Sequence, residues 1–269
     1  MIKTLRKTSL EFNDDLINDF IEKYKLQNLY LYINYKKIGV SSEYTATFIL
    51  IEDGDVKAVL YKYHHALQII GLLNISDVGF REIGEFIQMG HYNYIGGEEN
   101  LLKKVYGNLS GSYSLTCGFL MQWNTSRKID SIDYERVSLD GLDEVVDFVL
   151  TEPGYRKVYS KDDLMAQFSE RMQSSDCINI VMRNDENKIV AHAATYAESE
   201  DFSVIGGVLT SPLFRNLGLG RRVVLSVVDA ILSKKKKAVL YSFEQRNTDW
   251  YQRIGFEPLL SVAKIQIKN

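Results

Sequence analysis

Cysteine is nearly absent: the 269 residues contain two, Cys117 and Cys177. They lack metal-ligand spacing and cannot form a disulfide framework. With Met1 to Arg6 leading into no apolar signal segment, this points to a protein of a reducing compartment, the cytoplasm. No uninterrupted apolar run reaches bilayer-spanning length. An excess of one charge is also lacking. The net charge is −3, so nothing global draws the chain to nucleic acid or an anionic membrane. The one basic block, Lys234 to Lys237, falls at an expected helix end, where cations meet the negative end of the helix dipole. The four histidines form no ligand cluster. His64 and His65 are adjacent, so a strand would point them to opposite faces. His91 and His192 are isolated, and His192 reads as a mid-strand core residue. No metal site is expected.

What is present is ordinary globular composition, 45% hydrophobic and 25% charged, on a chain long for one core and sufficient for two. Leu16, Ile17, Phe20, Ile21 and Tyr24 sit at helical spacing behind the cap candidates Asn13, Asp14 and Asp15. Leu29 to Ile33 is aromatic and of open type. Strands are expected at Thr45 to Ile51 and Val56 to Tyr63, around the turn signal Asp53-Gly54-Asp55, and again near Leu67 to Ile70. Helical stripes follow at Phe80, Ile83, Phe86 and Ile87, and at Leu101, Leu102, Val105 and Leu109. A strand at Ser112 to Trp123 closes this half. Asn124 to Asp133 is polar, without a helical stripe, and is the expected linker. The expected domains are 1–126 and 127–269. The second half reads as a strand at Tyr134 to Val137, a helix through Leu142, Val145, Val146 and Val149, and a hairpin at Ile178 to Met182 and Ile189 to Tyr196. A longer strand at Phe202 to Thr210 follows, then a helix at Gly218 to Leu232 and a strand at Ala238 to Phe243. A short helix at Asn247 to Arg253 and a strand region at Phe256 to Ile267 end the chain. This order predicts an α+β fold with a mixed, mainly antiparallel sheet and flanking helices.

The most informative stretch runs from Val208 to Arg222. A strand enters a turn at Pro212, and glycines follow at the start of a helix. The apolar stripe of that helix is Val223, Val224, Val227, Val228, Ile231 and Leu232. A helix N-terminus presents unpaired N–H groups and a positive dipole end. Glycine lets a phosphate approach the backbone, and Arg215, Arg221 and Arg222 add charge for a polyanion. The stretch is built for a pyrophosphate. A nucleotide-hydrolysing loop would need Gly-Lys-Ser/Thr where Gly220-Arg221-Arg222 stands. A dinucleotide fold would need glycine at Val223.

Arg215-x-x-Gly218-x-Gly220 after a strand resembles the acetyl-CoA loop of the GNAT superfamily of N-acyltransferases. Three further features agree. Gly206-Gly207 interrupts the preceding strand, which suggests a bulge or a close backbone approach. A strand follows the loop helix at the right distance. Asn247 to Phe256 resembles the family's closing motif, an Asn, a short helix carrying Tyr, then Ile-Gly-Phe, with Gly255 at a helix C′ position. The resemblance covers about the last 140 residues. It implies that the amides of Leu217, Gly218, Leu219 and Gly220, with Arg215, Asn216 and Arg221 around them, hold the pyrophosphate of an acyl-CoA. It implies that the strand segment Val208, Leu209 and Thr210 offers backbone groups to pantetheine, and that Asn247 hydrogen-bonds that arm. Tyr251 is implied as the general acid for the departing thiolate, whose conjugate acid and a phenol have pKa values of about 8.5 and 10.

The family's strand carboxylate has no counterpart in Phe202 to Thr210. Glu198, Glu200 and Glu244, expected to be solvated, are the alternatives for the base, beside a water relay. The first half resembles a second, degenerate GNAT module. It lacks the glycine pattern and carries Asp77 where a phosphate would be repelled, so no acyl-CoA is expected there. Completing the sheet, walling the acceptor pocket or forming a homodimer are its expected jobs. The expected activity is acyl transfer from acetyl-CoA to a small primary amine. The alternatives are a silent acyl-CoA-binding or regulatory module and a protein acetyltransferase.

Overall fold

The computed structural model describes residues 4–7, 14–39, 44–90, 92–129, 134–173 and 177–267. Asn13, His91 and residues 130–133 of the expected linker lie outside them. In chain order the described elements are β1 (Thr4–Lys7), α1 (Asp14–Lys23), α2 (Leu29–Ile38), β2 (Thr45–Glu52), β3 (Asp55–Tyr63), β4 (Ala66–Gly71), α3 (Asp77–Met89), β5 (Tyr94–Glu98), α4 (Glu99–Tyr106) and β6 (Tyr113–Trp123). Then come β7 (Glu135–Arg136), α5 (Leu142–Val149), α6 (Pro153–Arg156), α7 (Lys161–Met172), β8 (Asn179–Arg183), β9 (Ile189–Glu198), β10 (Phe202–Thr210), α8 (Leu219–Ser233), β11 (Lys237–Ser242), α9 (Gln245–Ile254) and β12 (Phe256–Ile267).

The chain forms two compact units. The first is Met1–Leu120 with Ser242–Thr248 and Pro258–Asn269, and the second is Met121–Tyr241 with Asp249–Glu257. In the first, β1, β2, β3 and β4 pair antiparallel in sequence, and β4 pairs parallel with β5. The last strand of the chain, β12, pairs antiparallel with β5 from Val262↔Glu98 to Ile265↔Ile95. Asp53 and Gly54 both take positive φ, 54° and 88°, the backbone a two-residue hairpin turn needs. The aromatic stretch at Leu29 is helical because Asn28 caps it. Its side chain accepts the Leu31 N–H, and its amide donates to Gln68 and to the Gly96 carbonyl. Two buried clusters fill this unit. One lies around Leu60, Ile69, Phe80, Ile83 and Leu102, and the other around Ile21, Leu31, Val59 and Tyr61.

In the second unit β7, β8, β9 and β10 pair antiparallel and β10 pairs parallel with β11. The parallel pairing runs from Phe202↔Lys237 to Ile205↔Leu240. Beyond it β10 continues to Thr210 alongside β9, with its register shifted between Gly206 and Leu209. α5 and α7 pack Val145, Val146, Val149, Leu164 and Phe168 against Val181, Ile189 and Leu209. α7 answers no apolar periodicity strong enough to announce it, because only Leu164 and Phe168 of its twelve residues are buried. Its sign is local: Ser160 and Asp163 form a reciprocal capping box, the Ser-x-x-acid pattern of a helix start. The Lys234 to Lys237 block does fall at the end of α8, with Lys234 at its C-cap.

Candidate functional site

α8 begins without a cap. Gly218 holds the N-cap position at φ 79°, a left-handed backbone that a side chain would strain. It has no side chain to cap the helix, and the first turn contains no acidic residue. The first intrahelical bond is donated by Arg222 N–H to the Gly218 carbonyl. The amides of Leu219, Gly220 and Arg221 therefore have no intrahelical acceptor. Asn216, also left-handed at φ 64°, Leu217 and Arg221 are exposed. Arg215 is anchored, its Nε donating to the Thr210 carbonyl at 3.2 Å and Nη2 lying 3.8 Å from Glu152. That bond uses one of the two lone pairs of a carbonyl expected to meet pantetheine. Gly220 sits in a tight space, since a Cβ there would lie 3.0 Å from Thr210 Oγ1 and 3.6 Å from the Trp250 ring. Val208 and Thr210 are half-buried while Leu209 turns into the core beneath α5 and α7, as strand alternation dictates.

The N-terminus of α3 in the first unit is the opposite case. Ser76 caps it by accepting the Gly79 N–H. The Ser76 N–H and hydroxyl both donate to Glu52, at 3.1 and 2.6 Å. Glu52 comes from β2 and is 4% exposed. A Cβ on Gly79 would sit 2.5 Å from its carboxylate. The chain's own carboxylate thus stands where an external anion would dock. Asp77, the residue singled out in sequence, is exposed. Glu52 was not legible, because nothing local ties it to a helix 24 residues later.

Tyr251 is half-buried in α9, its ring against Trp250 and Phe256 at 4.9 and 5.7 Å. Among the described residues its hydroxyl has no hydrogen-bond partner. Burial, and then the neighbouring Tyr155, push its pKa well above the ordinary phenol value. The near match with a thiol expected from sequence is therefore widened. Asn247 lies one turn earlier in α9, donating its backbone N–H to the Glu244 carbonyl at 3.0 Å. Gly255, with φ 130°, lies under Trp123, whose ring a Cβ would meet at 2.5 Å.

Gly206 and Gly207 mark a bulge, and they also make room for Tyr196. A Cβ would lie 2.5 Å from the Tyr196 ring at Gly206 and 2.5 Å from its hydroxyl at Gly207, which has φ 61°. Below them His192 is fully buried. Its Nδ1 lies 2.7 Å from the Gly207 carbonyl and its Nε2 2.7 Å from the Asn179 amide. Burial lowers its pKa to about 4. Both partners are oxygens, the Gly207 carbonyl and Asn179 Oδ1, and a neutral ring donates to one of them.

Of the three base candidates, Glu200 and Glu244 are exposed as expected. Glu198 is not: it is 4% exposed at the end of β9, accepts the Thr195 hydroxyl and lies 3.8 Å from Lys236. The same strand end makes the Ser203↔Glu198 pair, away from the uncapped turn that follows Thr210.

Residues 183–263 match the FR47-like protein family model. Among curated proteins none matches the chain in sequence. Solved structures do match in fold. A GNAT-family acetyltransferase from Colwellia psychrerythraea aligns over 98% of this chain and 100% of its own at 11% identity, TM-score 0.63. A tandem GNAT protein from the clavulanic acid biosynthesis pathway, solved without AcCoA, aligns over 99% of this chain and 98% of its own at 10% identity, TM-score 0.64. A GCN5-related N-acetyltransferase from Kribbella flavida aligns over 86% of this chain and 89% of its own at 13% identity, TM-score 0.54. The α+β sheets, the uncapped turn after β10 and these likenesses together identify the chain as one with the tandem GNAT fold, its FR47-like segment in the C-terminal half.

Proposed function

We propose that this protein transfers an acetyl or other short acyl group from acyl-CoA to a primary amine of a small molecule, with the donor held by the module within 127–269. The observation that carries the reading is the bare N-terminus of α8 beside the filled one of α3. Of these two helix starts, only α8 has no side-chain cap, no bonded carboxylate and no acidic residue in its first turn, the arrangement that suits an external anion. Leu217, Gly218, Leu219 and Gly220 supply those amides, and Arg215, Asn216 and Arg221 flank them. The edge of β10 that leaves β11 after Ile205 offers Val208, Leu209 and Thr210 to an extended arm in the manner of an added strand. The backbone supports the reading as well: Gly218 takes a left-handed φ of 79°, and Gly220 packs closely against Thr210.

The amine attacks the thioester carbonyl, the C–S bond breaks, and the sulfur leaves as thiolate unless a proton reaches it. Tyr251 is the donor in this reading. Its raised pKa keeps it protonated, so it hydrogen-bonds the sulfur as charge develops and gives up its proton as the bond breaks. The proton the amine loses goes to water. Glu198, the buried candidate, already accepts from Thr195.

The test is calorimetry with acetyl-CoA on a Gly218→Val/Gly220→Leu double variant. Binding should be abolished in a variant whose melting curve stays cooperative. Wild-type affinity in a folded variant would sink the reading.

A further inference from the structure

On the helical face of the second unit, Arg171 stands at the last turn of α7 with its guanidinium 4.4 Å from the Tyr196 ring centroid and 5.4 Å from that of Phe168. Its Nη2 donates to Gln167 at 3.2 Å. Among the described residues no carboxylate lies within ion-pair distance of it. A guanidinium carries five donors in a planar fork, and here one hydrogen bond and two ring faces fix the plane while using a single donor. Tyr196 links this group to the strand. Its ring covers Gly206 and Gly207, and its hydroxyl lies 3.2 Å from that of Tyr155. Tyr155 in turn neighbours Tyr251. A half-buried cation with open donors therefore sits two tyrosines away from the proposed acid, beside the strand segment that the donor's arm would follow.

We propose that Arg171 anchors the carboxylate of the acceptor, and that the acceptor is an amino-acid-like molecule carrying both a primary amine and a carboxylate. This rests on the acyl-transfer reading for the identity of the amine. Arg and carboxylate meet through two parallel N–H···O bonds, a geometry that orients as well as binds. In this account the carboxylate sits at Arg171, and the acceptor's chain carries the amine past Tyr196 and Tyr155 toward Tyr251. A polyamine or aminoglycoside would bring like charge to the same point, and a carboxamide would offer one neutral oxygen in place of a charged pair. Arg171 is a specificity-determining residue in this account, and it moves no proton.

The experiment uses the full chain saturated with CoA and a panel of amino acids, each beside its carboxamide and its decarboxylated amine. Calorimetry on the CoA-saturated chain reads binding, and free thiol released when acetyl-CoA replaces CoA reads transfer. At least one amino acid should bind about 10–100-fold tighter than its carboxamide, the range for a hydrogen bond to a charged group. Arg171→Met should remove that preference while CoA affinity holds, and Arg171→Lys should retain part of it, keeping charge without the fork. The wild-type comparison of acid with amide needs no variant to fold. Equal binding of acids and amides, no binding by any acid, or an undiminished preference in Arg171→Met would overturn the proposal. Amino acids that bind through Arg171 without thiol release would uphold the anchor and refute acyl transfer, so the two ideas fail separately.

Discussion

Tyr251 and His192 both have their acid–base chemistry altered by burial. Tyr251 is held between Trp250 and Phe256, so Tyr251→Phe keeps the ring contacts and removes only the hydroxyl. The expected outcome is a kcat about 10²–10⁴-fold lower with unchanged acetyl-CoA affinity by calorimetry. A packing role alone would leave kcat within a factor of two or so. Its pKa is raised by burial, so it stays protonated beyond the ordinary phenol value of about 10. The kcat profile should then rise with pH as the amine deprotonates and show no fall below about pH 10 from Tyr251. His192 moves the other way, down to about 4 through burial. The unfolded chain binds its proton below about pH 6.5, the folded chain only near 4. His192 therefore contributes stability that is fully present above about 6.5 and is lost as pH falls toward 4. Urea unfolding of wild type and His192→Gln from pH 7 to pH 4 should show a steeper loss in wild type, by on the order of 3 kcal/mol across that range. Parallel slopes would mean that the histidine titrates normally.

Two helix starts carry opposite solutions to one problem of unpaired amides. α8 leaves its first turn open, with Gly218 left-handed and no side-chain cap. α3 closes its own with Ser76 and the buried carboxylate of Glu52. Glu52→Gln keeps the volume and one acceptor oxygen but removes the charge. It should destabilise the protein by about 1–3 kcal/mol in urea melts, without creating a CoA site, since α3 still has Ser76 and Asp77 at its start. A change under about 0.5 kcal/mol, the level of an ordinary surface substitution, would show that Glu52 is a bystander. α8 was legible because its glycines, arginines and apolar stripe are contiguous. α7 was not, because two buried side chains on a polar helix make no stripe, and its capping box at Ser160 and Asp163 is its one local mark.

At the scale of the whole chain, one acyl-CoA per molecule is the expectation. Calorimetry on the full chain should return a stoichiometry of one, and two equivalents, or CoA bound in both halves of a crystal structure, would refute it. The sequence alone determined what depends on near neighbours. Much of the element order (β1, α6 and α7 excepted), the Asp53-Gly54 hairpin, the glycine loop before α8 and the Ile254-Gly255-Phe256 ending rest on periodicity, turn chemistry or a short motif, and each is written within a few residues. Tertiary structure decided what depends on groups far apart in the chain. It brought Glu52 of β2 to the start of α3, set Tyr196 over Gly206 and Gly207, laid Arg171 across Tyr196, and paired β12 with β5. Burial decided the protonation of His192 and Tyr251 as well. A pKa shift of that kind comes from desolvation and neighbouring charges, and both are fixed only when strands and helices distant in sequence close around the group.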